Sequence, residues 1–289
     1  MTHRIAWLTD IHLDWLTEFV HEPGGGMTGT GRVLSESQVA NFCCKVMAQK
    51  PDSVVITGDI STAEGLEVHL MWLEKYLPGI PVYFVLGNHD YYNGSINVVR
   101  ASIAKYDGTK TRTQWLNVSG IVKLTEKTAL VGHDGWYDGG YSDWFKSKLV
   151  MTEYILTSDF RFQPPALQHR RLVELAAQCG HHIDRYVQEA ASNGFQHVLF
   201  ATHVPPFREN SRAPDHSLSN KDWLPNMASK IAGDALLKVA ETYPGVKFTC
   251  LSGHTHTRWE QDYTPNLTCF TGHAKYGEPI SSLRIIEVN

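Results

Sequence analysis

The chain has 289 residues, of which 42% are hydrophobic and 19% charged, a composition typical of a folded protein with a sizeable core. Its 26 Lys and Arg against 30 Asp and Glu give a net charge of −4, which disfavours a dedicated nucleic-acid-binding protein. No apolar run approaches the ~20 residues of a membrane span, and the five cysteines lack the spacing of a disulfide framework or a thiolate zinc site.

Short β-rich apolar runs alternate with helical patterns along most of the chain. The predicted strands are 4–9, 53–57, 82–86, 129–132, 198–202 and 248–252. Ser35-Glu-Ser-Gln38 is a capping-box sequence, and the apolar spacing after it predicts a helix that ends before Pro51. Helical spacing also predicts helices over 66–77 and 172–190. This alternation indicates an α/β fold in which helices cover the sheets.

The last part of the chain changes its hydrophobic period. Residues 259–263, 267–271 and 282–288 predict antiparallel strands, which form a second sheet or a mixed edge. Residues 24–31 and 208–226 are predicted loops, and the first of them lacks the pattern of a phosphate-binding P-loop.

No linker-like stretch divides the sequence. We therefore expect one domain over residues 1–289, with loop insertions near 134–165 and 208–228. The N-terminus lacks the apolar core of a signal peptide, so we expect a cytoplasmic protein without a membrane partner.

Five predicted strands end in residues of the types that ligate metals. These residues are Asp10, His12, Asp59, Asn88, His89, Asp90, His203, His254 and His256. In an α/β sheet, ligands gather outside the carboxyl ends of the strands, so residues distant in sequence converge there. Residues two apart on an extended backbone point the same way, which aims Asp10 with His12, and His254 with His256, at one place.

The ligand types also belong together chemically. Carboxylate, imidazole and an amide oxygen, without a thiolate, suit manganese, iron or zinc rather than copper(I). The number of such groups exceeds what one four-coordinate metal uses, so two metals that share a bridging carboxylate are the simplest arrangement.

The ordered set D-x-H, G-D, G-N-H-D, H and G-H-x-H resembles that of the calcineurin-like metallophosphoesterase superfamily and spans residues 10–256. The resemblance implies a four-layer α/β/β/α sandwich with two mixed β-sheets. It further implies two divalent ions, with manganese or iron favoured and zinc possible. The implied ligands are Asp10, His12 and His256 for one ion, Asn88, His203 and His254 for the other, and Asp59 between them.

The resemblance also implies a hydrolase in which a metal-bound hydroxide attacks phosphorus. His89 matches the histidine that contacts phosphate or protonates the leaving group. Asp90 would fix the tautomer of the His89 ring and raise its basicity.

Differences between this sequence and the motifs of particular subfamilies limit the possible class of substrate. The protein phosphatases extend the second motif as G-D-x-V-D-R-G, whereas this chain reads Gly58-Asp-Ile-Ser-Thr-Ala63. Nucleases of the superfamily usually add a DNA-capping region for which this chain has little room, and we expect no stable nucleic-acid partner. Class III cyclic nucleotide and glycerophosphodiester phosphodiesterases are similar in length and motif spacing, which favours a small phosphodiester, or a phosphomonoester, as substrate.

A catalytically silent protein-binding scaffold of the same fold is the alternative from a different class, and the complete motif set disfavours it. Three further residues have two interpretations each. Tyr137 and Tyr92 either line the pocket or cover a sheet edge, and Arg258 either pairs with a phosphate oxygen or is exposed. The sequence leaves the natural substrate, the metal identities and the oligomeric state open.

Overall fold

The computed structural model describes residues 2–21 and 30–289. The strands in chain order are β1 (His3–Leu8), β2 (Thr17–His21), β3 (Thr30–Leu34), β4 (Ser53–Thr57), β5 (Val82–Val85), β6 (Thr113–Trp115), β7 (Val122–Lys123), β8 (Thr128–Gly132), β9 (His197–Ala201), β10 (Lys247–Ser252), β11 (Trp259–Thr264), β12 (Leu267–Thr271) and β13 (Arg284–Val288). The helices are α1 (Glu36–Met47), α2 (Leu66–Tyr76), α3 (Ile96–Ile103), α4 (Leu116–Ser119), α5 (Glu153–Leu156), α6 (Pro165–His182), α7 (Gln188–Ser192) and α8 (Lys230–Thr242).

Two mixed sheets form the centre of the fold. The first has the strand order β13-β1-β4-β5-β6, and the second has the order β11-β12-β10-β9-β8-β7. Within the first sheet β1, β4, β5 and β6 run parallel, and within the second β8, β9, β10 and β12 run parallel. The predicted α/β class with two mixed sheets is confirmed.

The packing of the side chains shows why four layers form. Ile5 and Trp7 of β1 pack between the sheets, against Leu199 and Leu251 of the second sheet. The alternate residues of β1, including Leu8, pack on the outer side with α1 and α2. Helices α6 and α8 cover the outer face of the second sheet. Because strands of this kind are buried on both faces, they appear in the sequence as continuous apolar runs.

The three C-terminal strands are divided between the two sheets. Residues 259–263 and 267–271 pair antiparallel as predicted, but β13 crosses to the first sheet and pairs antiparallel with β1, from His3 opposite Val288 to Trp7 opposite Arg284. Strand β12 is parallel to β10. Strand β13 is therefore antiparallel as predicted and makes the first sheet mixed, but hydrophobic alternation marks a strand without marking its partner, so the sequence did not indicate that the three strands belong to two sheets.

The two predicted loops have different outcomes. Most of 24–31 lies outside the described residues, but Thr30 and Gly31 begin β3, which pairs antiparallel with β2. Residues 208–226 are irregular, as predicted, apart from 3-10 turns at Arg208–Asn210 and Leu224–Asn226 and one isolated bridge.

The predicted helix over 172–190 is interrupted by a π-helical turn at Ile183–Val187, which joins α6 to α7. Across the described residues, none of the helices combines the length and apolar character needed to cross a membrane.

We predict that Ser35→Ala lowers the free energy of unfolding by about 1 kcal/mol, because Ser35 is the N-cap of α1 and its hydroxyl accepts the backbone N–H of Gln38 at 3.3 Å. Urea unfolding followed by circular dichroism measures the change. Ser95→Ala is the matched control, since Ser95 stands at the start of α3 without a capping side-chain hydrogen bond. Equal losses in the two variants would contradict a specific capping role.

Candidate metal centre

Several motif residues that follow the strands have a left-handed backbone conformation. Positive φ angles occur at Asp10 (48°), His12 (39°), Asp59 (51°), His254 (69°) and His256 (55°). Residues with a Cβ rarely adopt this left-handed region, and such strain persists only where the surroundings enforce it. Here the backbone N–H of Asp10 donates to Gly58 O at 3.0 Å, and that of His12 donates to Asp59 O at 2.9 Å.

One group of ligand atoms lies after β1, β4 and β10. Asp10, His12, Asp59 and His256 each offer an atom within 4.8 Å of the others. Nε2 of His256 is 3.2 Å from Oδ1 of Asp10 and 3.3 Å from Nε2 of His12. A carboxylate and two imidazoles at this separation are a donor set suited to manganese, iron or zinc.

A second group is formed by Asn88, His203 and His254. Oδ1 of Asn88 lies 3.0 Å from Nε2 of His203 and 3.0 Å from Nδ1 of His254. The other nitrogen of each ring faces a carbonyl oxygen, Thr57 O for His203 and Asn226 O for His254, each at 2.9 Å. Since a carbonyl only accepts, the protons of the neutral rings lie on those outer nitrogens. The three inner atoms therefore present lone pairs to one another.

Asp59 lies between the two groups. Its Oδ2 is 3.8 Å from Nε2 of His12, and its Oδ1 is 3.4 Å from Nε2 of His203. Oδ1 also accepts the backbone N–H of His89 at 2.9 Å. One carboxylate thus presents an oxygen to each group.

Burial sets the electrostatics of the cluster. It lowers the pKa of His203, and it lowers the pKa of His254 to about 3, which keeps both rings neutral. Burial, together with the nearby carboxylate of Asp10, raises the pKa of Asp59 well above its ordinary value. No Lys or Arg within the described ranges forms an ion pair with Asp10 or Asp59. Divalent cations would satisfy these lone pairs and buried carboxylates together, so the donor set fits them.

His89 lies beside the cluster. Its ring packs against Tyr92 with centroids 4.3 Å apart and meets His12 edge-on at 4.6 Å. Burial, reinforced by the neighbouring His203, lowers the pKa of His89 to about 3. Its side chain keeps partial contact with solvent and lines the adjoining cavity.

Asp90 does not have the predicted role. Its Oδ1 accepts the backbone N–H groups of Ile60 and Ser61 at 2.9 and 2.8 Å, and its Oδ2 accepts that of Gly87 at 2.8 Å. The carboxylate is therefore used to join the loops after β4 and β5. The prediction that it orients the His89 ring was wrong, because adjacency in sequence does not determine which way a side chain points.

Two of the three residues with open interpretations, Tyr137 and Arg258, do not line the cavity. Tyr137 is fully buried behind the cluster, where its ring stacks on His254 at 6.0 Å and its hydroxyl donates to Glu153 at 2.7 Å. Arg258 is exposed and does not line the cavity. Among the described residues that line it, Arg212 is the only Lys or Arg.

Sequence reasoning missed a buried network behind the second ligand group. Nδ2 of Asn88 donates to the hydroxyl of Tyr92 at 2.9 Å, and that hydroxyl donates to Glu153 at 3.1 Å. The hydroxyl of Tyr154 donates to Oδ1 of Asn226 at 2.9 Å, and the backbone carbonyl of Asn226 accepts from His254. Only the position of Tyr92 after the G-N-H-D motif gave a signal in the sequence.

A cavity of about 650 Å³ opens beside the cluster. The lining includes Asp59, Asn88, His89, His254 and His256 of the cluster region, and its outer wall comes from residues 149–152, several residues of 212–227, and Tyr276. The two predicted insertions therefore supply much of the wall. Such a concave site next to convergent polar groups has the form of a substrate-binding cavity.

Comparison with known proteins agrees with this geometry. The family model described as calcineurin-like phosphoesterase matches residues 3–258. The chain belongs to this family. It is therefore a metallophosphoesterase with a buried Asp/His metal-binding cluster.

Individual proteins similar to the chain include one curated relative and one solved structure. An uncharacterized metallophosphoesterase of Campylobacter jejuni is 31% identical over 109 residues, which make up 37% of this chain and only 24% of that protein. The crystal structure of a dimetal phosphatase from Danio rerio superposes with a TM-score of 0.57 at 14% identity, covering 98% of this chain and 91% of the other. The second likeness supports the fold.

We predict that Gly253→Ala weakens Mn²⁺ binding by at least about tenfold, because an added Cβ would collide with Oγ1 of Thr9 and Oδ2 of Asp10. Isothermal titration calorimetry of metal-free protein with Mn²⁺ measures the affinity. Gly245→Ala is the control, since nothing lies within 4 Å of a Cβ there. Wild-type affinity in Gly253→Ala would show that Asp10 does not depend on this close packing.

We predict that Tyr92→Phe lowers the Mn²⁺ affinity by about tenfold, because it removes the acceptor of the Asn88 amide and one donor to Glu153. The same titration, with metal content determined by mass spectrometry, checks this result. Tyr83→Phe is the control, a buried tyrosine with no hydroxyl hydrogen bond to the described residues. If both variants bind Mn²⁺ equally, the network does not position Asn88.

Proposed function

We propose that the protein hydrolyses a small phosphoester and uses two divalent ions to do so. The observation that carries the proposal is the position of Asp59, which presents one oxygen to each of two groups of ligand atoms. A single shared carboxylate between two donor sets is the arrangement that a dinuclear centre requires. The dimetal phosphatase of similar fold supports this interpretation.

The proposed ligands follow the two groups. Asp10, His12 and His256 would hold one ion, Asn88, His203 and His254 the other, and Asp59 would bridge them. Divalent ions bound there would lower the pKa of a water to about 7, providing a nucleophile, and would neutralise charge on the phosphoryl oxygens. Manganese and iron are the preferred metals, with zinc possible, as the donor types suggest.

His89 and two backbone carbonyls beside the ligands have separate roles. His89 lines the cavity beside Asp59 without belonging to either ligand group. We assign to its Nε2–H the role of donating to a phosphoryl oxygen. To protonate the leaving oxygen, the neutral ring must first take up a second proton from solvent, which requires the phosphate charge to raise its low pKa. The imidazolium then transfers one proton to the leaving oxygen and returns to the neutral ring. The carbonyls of Thr57 and Asn226 fix the tautomers of His203 and His254.

The size of the substrate follows from the cavity. Its volume of about 650 Å³ suits a small molecule, and Arg212 alone offers a positive side chain in its described lining, which is unfavourable for a nucleic acid. A small phosphodiester remains the proposed substrate, with a phosphomonoester as the alternative. We also propose a single domain whose two insertions bind the substrate. The cytoplasmic location stays a prediction.

The test combines turnover with metal content. Protein reconstituted with Mn²⁺ should bind two ions and hydrolyse bis(4-nitrophenyl) phosphate, and EDTA should abolish the activity. Asp59→Asn should lose both ions, since both groups share this carboxylate. His89→Ala should lower kcat by about 100-fold while keeping two ions. His181→Ala, an exposed histidine of α6, is the control.

Three outcomes would contradict the proposal. Turnover that persists in EDTA would exclude the metals as participants. Loss of a single ion from Asp59→Asn would exclude the bridging role, and loss of ions from His89→Ala in proportion to kcat would make His89 a ligand. Two bound ions without turnover of any phosphoester would favour the protein-binding scaffold.

A further inference from the structure

The outer wall of the cavity is unusually apolar for a site that receives an anion. Large apolar side chains that line it remain open to solvent: Val150 is 68% exposed, Trp223 47% and Tyr276 41%. Leu149, Met151 and Met227 line the same wall. Grouped exposed apolar side chains of this kind mark a binding surface rather than chance exposure.

Trp223 is held at a fixed position relative to the metal-binding cluster. Its backbone N–H donates to the Asn220 carbonyl at 3.1 Å, and its own carbonyl accepts the N–H of Asn226 at 2.9 Å. The carbonyl of Asn226 in turn accepts from His254 at 2.9 Å. The exposed indole therefore belongs to the turn that orients a proposed metal ligand, and it lines the same cavity as Asp59, Asn88 and His254.

Tyr276 brings a second ring to the same site. Its ring centroid is 4.4 Å from that of His12, 5.0 Å from that of His256 and 4.8 Å from that of Trp15. These contacts hold the phenol beside the first ligand group. A substrate that reaches the cluster through the cavity passes flat, partly exposed rings.

Charged side chains are scarce in the described lining. Asp59 is its only Asp or Glu and belongs to the cluster, and Arg212 is its only Lys or Arg. The guanidinium of Arg212 lies 3.9 Å over the ring of Trp259, and its Nε donates to the Glu209 carbonyl. The wall thus offers one held cation and an apolar surface, which favours a substrate with a single phosphate and an apolar remainder.

We propose that the cavity selects phosphoesters in which the group that stays on phosphorus is a flat aromatic ring, and that this ring packs against Trp223 and the neighbouring apolar wall while the phosphate lies at the cluster. This inference rests on the proposed function and adds the class of ester group. Aromatic faces stack favourably on one another and bury a large apolar area, so Trp223 is the side chain on which the selectivity should depend most.

A matched pair of diesters tests the proposal. Bis(4-nitrophenyl) phosphate and methyl 4-nitrophenyl phosphate share charge and leaving group, and the group that stays on phosphorus is aryl in the first and methyl in the second. Because the diaryl ester is also intrinsically more reactive and has two equivalent leaving groups, the deciding measurement is the change in the ratio of the two kcat/KM values between wild type and variant. With Mn²⁺-loaded protein, kcat/KM should favour the diaryl ester, and Trp223→Ala should reduce this preference about tenfold, through KM. Trp223→Phe should keep most of it. Phe162→Ala, which removes an 88% exposed ring outside the cavity lining, should keep all of it.

A binding experiment and a second variant test the aromatic preference without relying on turnover or on the Trp223→Ala variant alone. Calorimetric titration of the Mn²⁺-loaded protein with phenylphosphonate and methylphosphonate should show about tenfold tighter binding of the phenyl compound, and Trp223→Ala should remove the difference. Val150→Ser changes a largely exposed side chain of the same wall and should also reduce the preference. This variant decides the test if Trp223→Ala loses its metals.

The outcomes separate the two proposals. Selective phenylphosphonate binding without any hydrolysis would refute the proposed function and support the aromatic site. Hydrolysis of both diesters with the same kcat/KM, or a preference that survives in both Trp223→Ala and Val150→Ser, would refute the aromatic site and leave the hydrolase proposal intact.

Discussion

Lone pairs of nitrogen and oxygen face one another across a buried space in this protein, and the fold must hold them there against their repulsion. Oδ1 of Asn88 meets the unprotonated nitrogens of His203 and His254 at 3.0 Å, and Asp59 stands beside them without a Lys or Arg partner among the described residues. Burial withholds the water that would otherwise separate these groups. Cations are the simplest means of turning this repulsion into attraction, which is why the geometry itself indicates a metal centre.

The rigid part of the fold supplies the force that holds the ligands. Parallel strands of two packed sheets end near one another, and each proposed ligand follows its strand by two to four residues, as Asp10 follows Leu8 and Asp59 follows Thr57. The left-handed backbone at these residues is costly, and cross-strand hydrogen bonds such as Asp10 N–H to Gly58 O oppose its relaxation. The core between the sheets thereby fixes side chains that come from distant parts of the sequence.

How much could be predicted from the sequence depends on whether a feature is a local pattern or a contact between distant segments. The apolar runs of the buried strands and the polar residues at their ends are local patterns, so the two sheets and the clustering of residues such as Asp10 and Asp59 were accessible. The partner of β13 and the direction of the Asp90 carboxylate depend on contacts between distant segments, so the first was left open and the second was predicted wrongly. Glu153 and Asn226 lie in or beside the irregular insertions, where no periodicity indicates which atoms meet.

The same insertions connect substrate contact with ligand orientation. Residues 149–152 line the cavity and lead directly into Glu153. Glu153 accepts a hydrogen bond from the hydroxyl of Tyr92, and that hydroxyl accepts one from the side-chain amide of Asn88. On the other side, the turn that presents Trp223 to the cavity also presents the Asn226 carbonyl to His254. A change in either wall is therefore transmitted through a few hydrogen bonds to an atom proposed to hold a metal. Substrate preference and metal affinity should for this reason vary together when these segments are altered, even where the motif residues stay the same.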